Sequence, residues 1–185
     1  MNLKLKMCTV RNWEWRDRDA IVRYANNRKV SINLRDRFPY PYTARDARNW
    51  LDVVVDSKPL TNFAIDVAGE AVGGIGFTAQ HDVERRSAEI GYWLGEPFWG
   101  RGIATEALIA VTEYAFANFD LCRVYAHVFE WNAASARVLE KAGYEFEGRL
   151  KKSVTKDGQT IDQLMYAIIR EKTSSHKKAK AQKTP

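Results

Sequence analysis

Two glycines bracket an arginine in GEPFWGRGIATEAL, residues 95–108, where an aromatic run gives way to the first turn of an amphipathic segment. Glycine costs about 1 kcal/mol more than alanine inside a helix, so Gly100 and Gly102 are expensive unless bare backbone is required there. A strand ending at Leu94, a glycine-containing turn and a helix beginning near Gly102 aim free backbone N–H groups outward at the positive end of a helix dipole. Small side chains at Gly100, Gly102 and Ala104 let a phosphate reach those amides, and Arg101 adds charge without being buried. Such a turn is an anion cradle into which a diphosphate fits. The same spacing also describes a glycine-rich helix start with no ligand.

Two familiar diphosphate sites are excluded. GEPFWGRG supplies the first half of GxxxxGK[ST], but Arg101 and Gly102 stand where the lysine and the magnesium-binding hydroxyl belong. The pattern GxGxxG does not occur here, and the chain does not alternate strand and helix throughout, so a Rossmann reading also fails.

The elements around this turn follow from periodicity. Residues 3–11 predict a strand, and RDRDAIVRYANN predicts a helix with Asp17 as its cap and Ala20, Ile21, Tyr24 and Ala25 on one face. Pro39 and Pro41 among Phe38, Tyr40 and Tyr42 exclude regular helix and predict an ordered loop. Thr43 and Asp46 have the spacing of a capping box that opens a helix running to about Ser57. Three strands follow as a meander, residues 61–67, 71–80 and 87–94. Gly73, Gly74 and Gly76 lie inside the middle one and predict a bulge or close backbone packing. Ala104, Leu108, Val111 and Ala115 mark a helix ending near Asn118, residues 121–130 a strand, and Asn132 the cap of a short helix stopped by Gly143. Asp157-Gly158 closes a hairpin between about Lys152 and Ile169. The expected fold is one α/β domain with a mixed sheet flanked by helices, residues 1–171.

Composition narrows the function classes. At 185 residues and 45% apolar content the chain supports one domain with a substantial core. No window approaches the roughly 20 consecutive apolar residues of a membrane span, and MNLKLKMC lacks a signal-peptide apolar run, so a soluble cytoplasmic protein is expected. Cys8 and Cys122 are the only cysteines, and the three histidines show no metal spacing, so two reduced thiols and no metal are expected. After Glu171 come Lys172, Lys177, Lys178, Lys180 and Lys183 with no acid among them, so the net charge of +6 falls mostly in KTSSHKKAKAQKTP, residues 172–185. That segment reads as a basic, solvated, disordered tail on a nearly neutral body, which argues against a nucleic-acid binder.

Trp99-Gly100-Arg101-Gly102-Ile103-Ala104 resembles Q/R-x-x-G-x-G/A, the cofactor motif of the GNAT superfamily of N-acetyltransferases, with Trp99 in place of the first Gln or Arg. AEIGYWL before it and VYAHVFEWNAASARVLEKAGYEFEG after it look like the RimJ/RimL branch, which acetylates ribosomal-protein N-termini. The resemblance covers residues 89–148. It implies acetyl-CoA as co-substrate, with its pyrophosphate on the amides of Gly100, Arg101, Gly102, Ile103, Ala104 and Thr105. Its pantetheine would run between two splayed parallel strands, residues 87–94 and 121–130, pairing with backbone near Trp93 and Leu94. Trp99 would act there through its backbone N–H. The expected activity is acetyl transfer to a primary amine, a protein N-terminus or a small molecule, by direct attack in a ternary complex.

Acetyl transfer to an amine needs a neutral nucleophile, a stabilised oxyanion and a proton for the departing thiolate. Glu89 is the candidate base. It shares a strand face with Ser87, Gly91 and Trp93, opposite Ala88, Ile90, Tyr92 and Leu94. The same spacing allows a structural carboxylate paired with Arg85 or Arg86. Asn132 and Ser135 could cap a helix and no more; under the resemblance Asn132 contacts the pantetheine arm and Ser135 lies near the sulfur. Many GNAT members carry a general-acid tyrosine one turn later, where this chain has Leu139, which leaves Ser135 as the candidate proton donor. His127 lies opposite Val124, Ala126 and Val128 and reads as a packing or hydrogen-bonding residue, outside the catalytic set. Phe38, Tyr40 and Tyr42 would wall the acceptor site, beside Arg35 and Arg37. A non-catalytic acyl-CoA sensor and a nucleic-acid-associated basic protein are the alternatives.

Overall fold

The computed structural model describes residues 1–170; the expectations for the basic tail lie outside the described residues. Eight strands form one open sheet in the order β1-β2-β3-β4-β5-β6-β8-β7. They are β1 (Asn2–Lys4), β2 (Thr9–Arg11), β3 (Asn62–Val67), β4 (Glu70–Ala79), β5 (Ser87–Leu94), β6 (Arg123–Phe129), β7 (Glu145–Lys156) and β8 (Gln159–Ile169). The helices are α1 (Arg18–Ala25), α2 (Arg28–Ser31), α3 (Ala44–Val54), α4 (Ile103–Asn118) and α5 (Ala133–Lys141).

Alternation along the central strands sends side chains to two cores. Phe63, Ile65, Val72, Ile90 and Leu94 pack with α4 and α5 residues such as Leu108, Val111 and Leu139. Ala64 and Ala71 point the other way, against Ile21 and Ala25 of α1 and Leu51 and Val54 of α3. With both faces covered, β3 reads as a nearly continuous apolar run. The three glycines of β4 sit where a side chain has no room. A Cβ on Gly73 would lie 2.4 Å from the Trp93 carbonyl oxygen, and one on Gly74 2.7 Å from the Trp93 indole nitrogen.

Every strand pairing is antiparallel except β5 with β6. That parallel pairing is confined to Ser87↔Arg123, Ala88↔Val124 and Glu89↔Tyr125. Beyond Glu89, β5 stays paired to β4 as far as Leu94, and β6 stays paired to β8 as far as Phe129. The two central strands therefore diverge from Ile90 onward and leave a gap through the sheet.

Local signals place most elements within a residue or two. Thr43 and Asp46 form the capping box of α3, and Asp157 and Gly158, both at positive φ, close the β7–β8 hairpin. Two expectations are corrected. Residues 3–11 form a hairpin rather than one strand, because the Glu106 carboxylate accepts from the Lys6 and Met7 amides and fixes a tight turn there. Asp17 stands before α1 without capping it: its carboxylate is buried in a bidentate pair with Arg11, whose Nε reaches Asp66 at 2.8 Å. Short α2 is a further element, capped by Asn27, whose side chain accepts from the Lys29 amide.

Candidate active site

The gap between β5 and β6 opens into a cavity of about 1380 Å³ lined from both faces of the sheet. Phe38, Trp50 and Glu89 line it on the α1–α3 side, and Ala104, Ser135 and Val138 on the α4–α5 side. A linear ligand can thus enter on one face and present its end to the other.

On the α4 side the glycine turn has the anticipated shape. Gly100 and Gly102 adopt φ of +74° and +82°, a region L side chains rarely occupy, and a Cβ at either would project into open space. The amides of Gly100, Arg101, Gly102, Ile103, Ala104 and Thr105 donate to no acceptor among the described residues; the first intrahelical bond is Glu106 N–H to the Gly102 carbonyl, 3.0 Å. Unpaired amides at a helix N-terminus, facing a cavity, fit a diphosphate. The Arg101 guanidinium lies 5.5 Å from the Phe98 ring centroid and is not part of the cavity wall. Trp99 differs from its expected role. Its backbone N–H already donates to the Glu96 carbonyl at 3.1 Å, and its indole N–H donates to the Leu94 carbonyl at 2.7 Å. Trp99 therefore braces the mouth of the splay with both of its donors. Trp93 and Leu94 line the cavity.

Asn132 caps α5 through its side-chain oxygen, which accepts from the Ser135 amide at 3.2 Å. The Ser135 hydroxyl lies 2.9 Å from the Tyr92 hydroxyl, which is also 3.2 Å from the Ser135 carbonyl. Burial pushes the Tyr92 phenol up to about 12, so it stays protonated. The sequence gives Tyr92 no role at the site; its place on the strand face opposite Glu89 is the signal that could have found it.

Across the gap, Glu89 Oε1 is shared. His127 Nδ1 lies 3.2 Å away, and the Arg35 guanidinium contacts the same oxygen. The neighbouring arginines go elsewhere: Arg85 donates to the Asp82 carbonyl and Arg86 lies near Asp120. The His127 hydrogen bond, with Arg35 assisting, holds the Glu89 carboxyl below its ordinary range against the opposing effect of burial. An ionised carboxylate only accepts, so His127 Nδ1 carries the hydrogen of this contact and Nε2 is the ring nitrogen left to face other partners. The alternation of β6 signalled that His127 faces this way.

The aromatic loop is divided. Phe38 and Tyr42 line the cavity and stack 4.9 Å apart, with Phe38 also against Trp93. Tyr40 turns away, under Arg28 and beside Asp157, outside the cavity wall. Among the described residues no three His, Cys, Asp or Glu side chains converge as a metal site. Cys8 and Cys122 are free, with burial pushing the Cys8 thiol up to about 11. No helix among the described residues is long and apolar enough to cross a membrane.

Comparison with known proteins agrees with this geometry. Residues 8–145 match the acetyltransferase (GNAT) domain family. The uncharacterised N-acetyltransferase p20 of Bacillus licheniformis is 30% identical over 168 residues, covering 88% of this chain and 92% of that protein. A GNAT-family acetyltransferase of Bacillus anthracis superposes with a TM-score of 0.79 at 27% identity, covering 91% and 98% of the two chains. Mycobacterium smegmatis RimJ, solved with a CoA disulfide, superposes with a TM-score of 0.72 at 27% identity, covering 88% and 81%. With its splayed β5–β6 pair and unpaired amide turn, the chain belongs to the GNAT acetyltransferase family and is an acyltransferase.

Proposed function

We propose that this protein transfers the acetyl group of acetyl-CoA to a primary amine, a protein N-terminus or a small molecule, by direct attack within a ternary complex. The observation that carries this reading is the single cavity joining the amide turn on one face to the Glu89–His127 pair on the other. Residues 100–105 would hold the pyrophosphate and the Asn132 side chain would meet the pantetheine arm. Acetyl-CoA supplies an activated thioester.

The protein's own groups supply the proton traffic. Glu89, held anionic, draws the acceptor ammonium into the cleft and fixes the His127 tautomer. His127 Nε2, or Glu89 through water, then takes the amine proton as the C–N bond forms. Tyr92, 2.9 Å from the Ser135 hydroxyl, holds that hydroxyl at the cleft, where it would protonate the departing thiolate as the C–S bond breaks. A carboxylate with a lowered pKa is a weak terminal base, so the pair, rather than Glu89 alone, collects the proton.

The test is thiol release from acetyl-CoA with a panel of amines and N-terminal peptides, each product weighed by mass spectrometry. Acetylated amine is expected. CoA binding in the micromolar range, roughly −7 to −8 kcal/mol, without turnover on any amine would instead support the non-catalytic sensor.

A further inference from the structure

The acceptor end of the cleft is charged in an unusual order. Glu89, whose side chain is 25% exposed, is one of two carboxylates lining the cavity, and it is already paired with Arg35. The other, Asp46, is committed to the α3 capping box, accepting from the Thr43 amide and hydroxyl. Arg37 lines the same cavity with no ion pair among the described residues.

The backbone that carries Arg35 is fixed by its neighbours, while its side chain, 53% exposed, reaches Glu89. The Asp36 carboxylate pairs with Lys156 Nζ at 2.7 Å, a lysine whose side chain is only 5% exposed. The Phe38 amide donates to the Arg35 carbonyl at 2.9 Å, and the Phe38 ring packs on Trp93. The guanidinium thus stands where an acceptor ammonium would be drawn. A simple amine that displaces it leaves two cations beside one carboxylate, next to aromatic walls that reduce screening. An amine carrying its own carboxylate satisfies both sides: its ammonium takes Glu89, and its carboxylate takes the planar Arg35 fork, with Arg37 adding charge.

We propose that the acceptor is a free α-amino acid with an apolar or aromatic side chain, recognised by Arg35 and Arg37 through its carboxylate and by Phe38, Tyr42 and Trp50 through its side chain. This rests on the N-acetyltransferase reading. The bond changes are those of that reaction: the α-nitrogen bonds to the acetyl carbon, the C–S bond breaks, the amine proton leaves toward His127 and the thiolate is protonated. The substrate carboxylate is bound and unchanged.

The experiment compares kcat/KM for phenylalanine, leucine and methionine with that for the amide and the decarboxylated amine of each, across pH so that differing amine basicities are separated from recognition. Wild type is expected to favour the free acids by about 10-fold or more. Arg35→Gln should erase that preference and Arg35→Lys should restore part of it, with CoA affinity unchanged in both. Equal use of acids and amides by wild type, or an unchanged preference in Arg35→Gln, overturns the inference while leaving amine acetylation intact. CoA binding without transfer to any amine overturns both.

Discussion

Tyr92→Phe deletes one oxygen and keeps the ring, so it isolates the hydroxyl contact to Ser135. That contact is 2.9 Å long and the phenol is also 3.2 Å from the Ser135 carbonyl. Removing a neutral hydrogen-bond partner from a buried site costs about 1–2 kcal/mol. If the contact positions the Ser135 hydroxyl for the thiolate, a similar cost appears in the barrier, and about 1.4 kcal/mol is a tenfold fall in turnover. Because the phenol is pushed up to about 12 by burial, it never ionises near neutrality, so the fall should be the same at each pH with no new inflection. The assay is single-turnover thiol release for wild type, Tyr92→Phe, Ser135→Ala and the double variant. Ser135→Ala should lower turnover at every pH, and adding Tyr92→Phe to it should cost nothing further, giving a coupling of about 1 kcal/mol. Equal losses from Tyr92→Phe in both backgrounds would refute an action through Ser135, and full turnover in the single variant would refute any role.

Gly102→Val places a β-branched residue at φ +82° and a side chain against the free amides, so calorimetry should show CoA affinity falling severely in a folded protein; unchanged affinity sinks the phosphate assignment. Glu89→Gln should lower turnover near neutral pH by about 10- to 1000-fold with CoA affinity unaltered, the deficit shrinking at high pH, where the acceptor is already neutral. The sign for the wild-type acid limb follows from the lowered Glu89 pKa: the anionic form is complete above the ordinary carboxylate range and is lost only as pH falls through the depressed folded value, so Glu89→Gln should abolish that limb in a pH–rate profile. Arg11→Ala leaves Asp17 and Asp66 buried without their cation and should cost about 3–5 kcal/mol in denaturant unfolding; a loss below about 1 kcal/mol would show the triad to be incidental.

Much of this protein was legible in residue order. The glycine turn, the meander of β3, β4 and β5, the Thr43–Asp46 capping box and the Asp157-Gly158 hairpin depend on φ preferences and near-neighbour hydrogen bonds, which a short window contains. The alternation of β5 and β6 correctly put Glu89 and His127 on one side and Tyr92 on the other, because strand side chains have a period of two.

What the sequence could not supply is who meets whom across the sheet. The Lys6–Met7 turn has no glycine or proline to announce it and is fixed by Glu106, a hundred residues on. Glu89 ignores Arg85 and Arg86, its neighbours in the chain, for Arg35 from a distant loop and His127 from the adjoining strand. Tyr40 leaves the cavity while Phe38 and Tyr42 line it, since two prolines set the path of that loop but packing on Trp93 decides which rings turn inward. Local propensity specifies a backbone shape at the cost of a few fixed dihedrals. Partners separated by tens of residues are chosen only when the whole core closes, because only then does burial make one pairing of a charge better than its exposure to water.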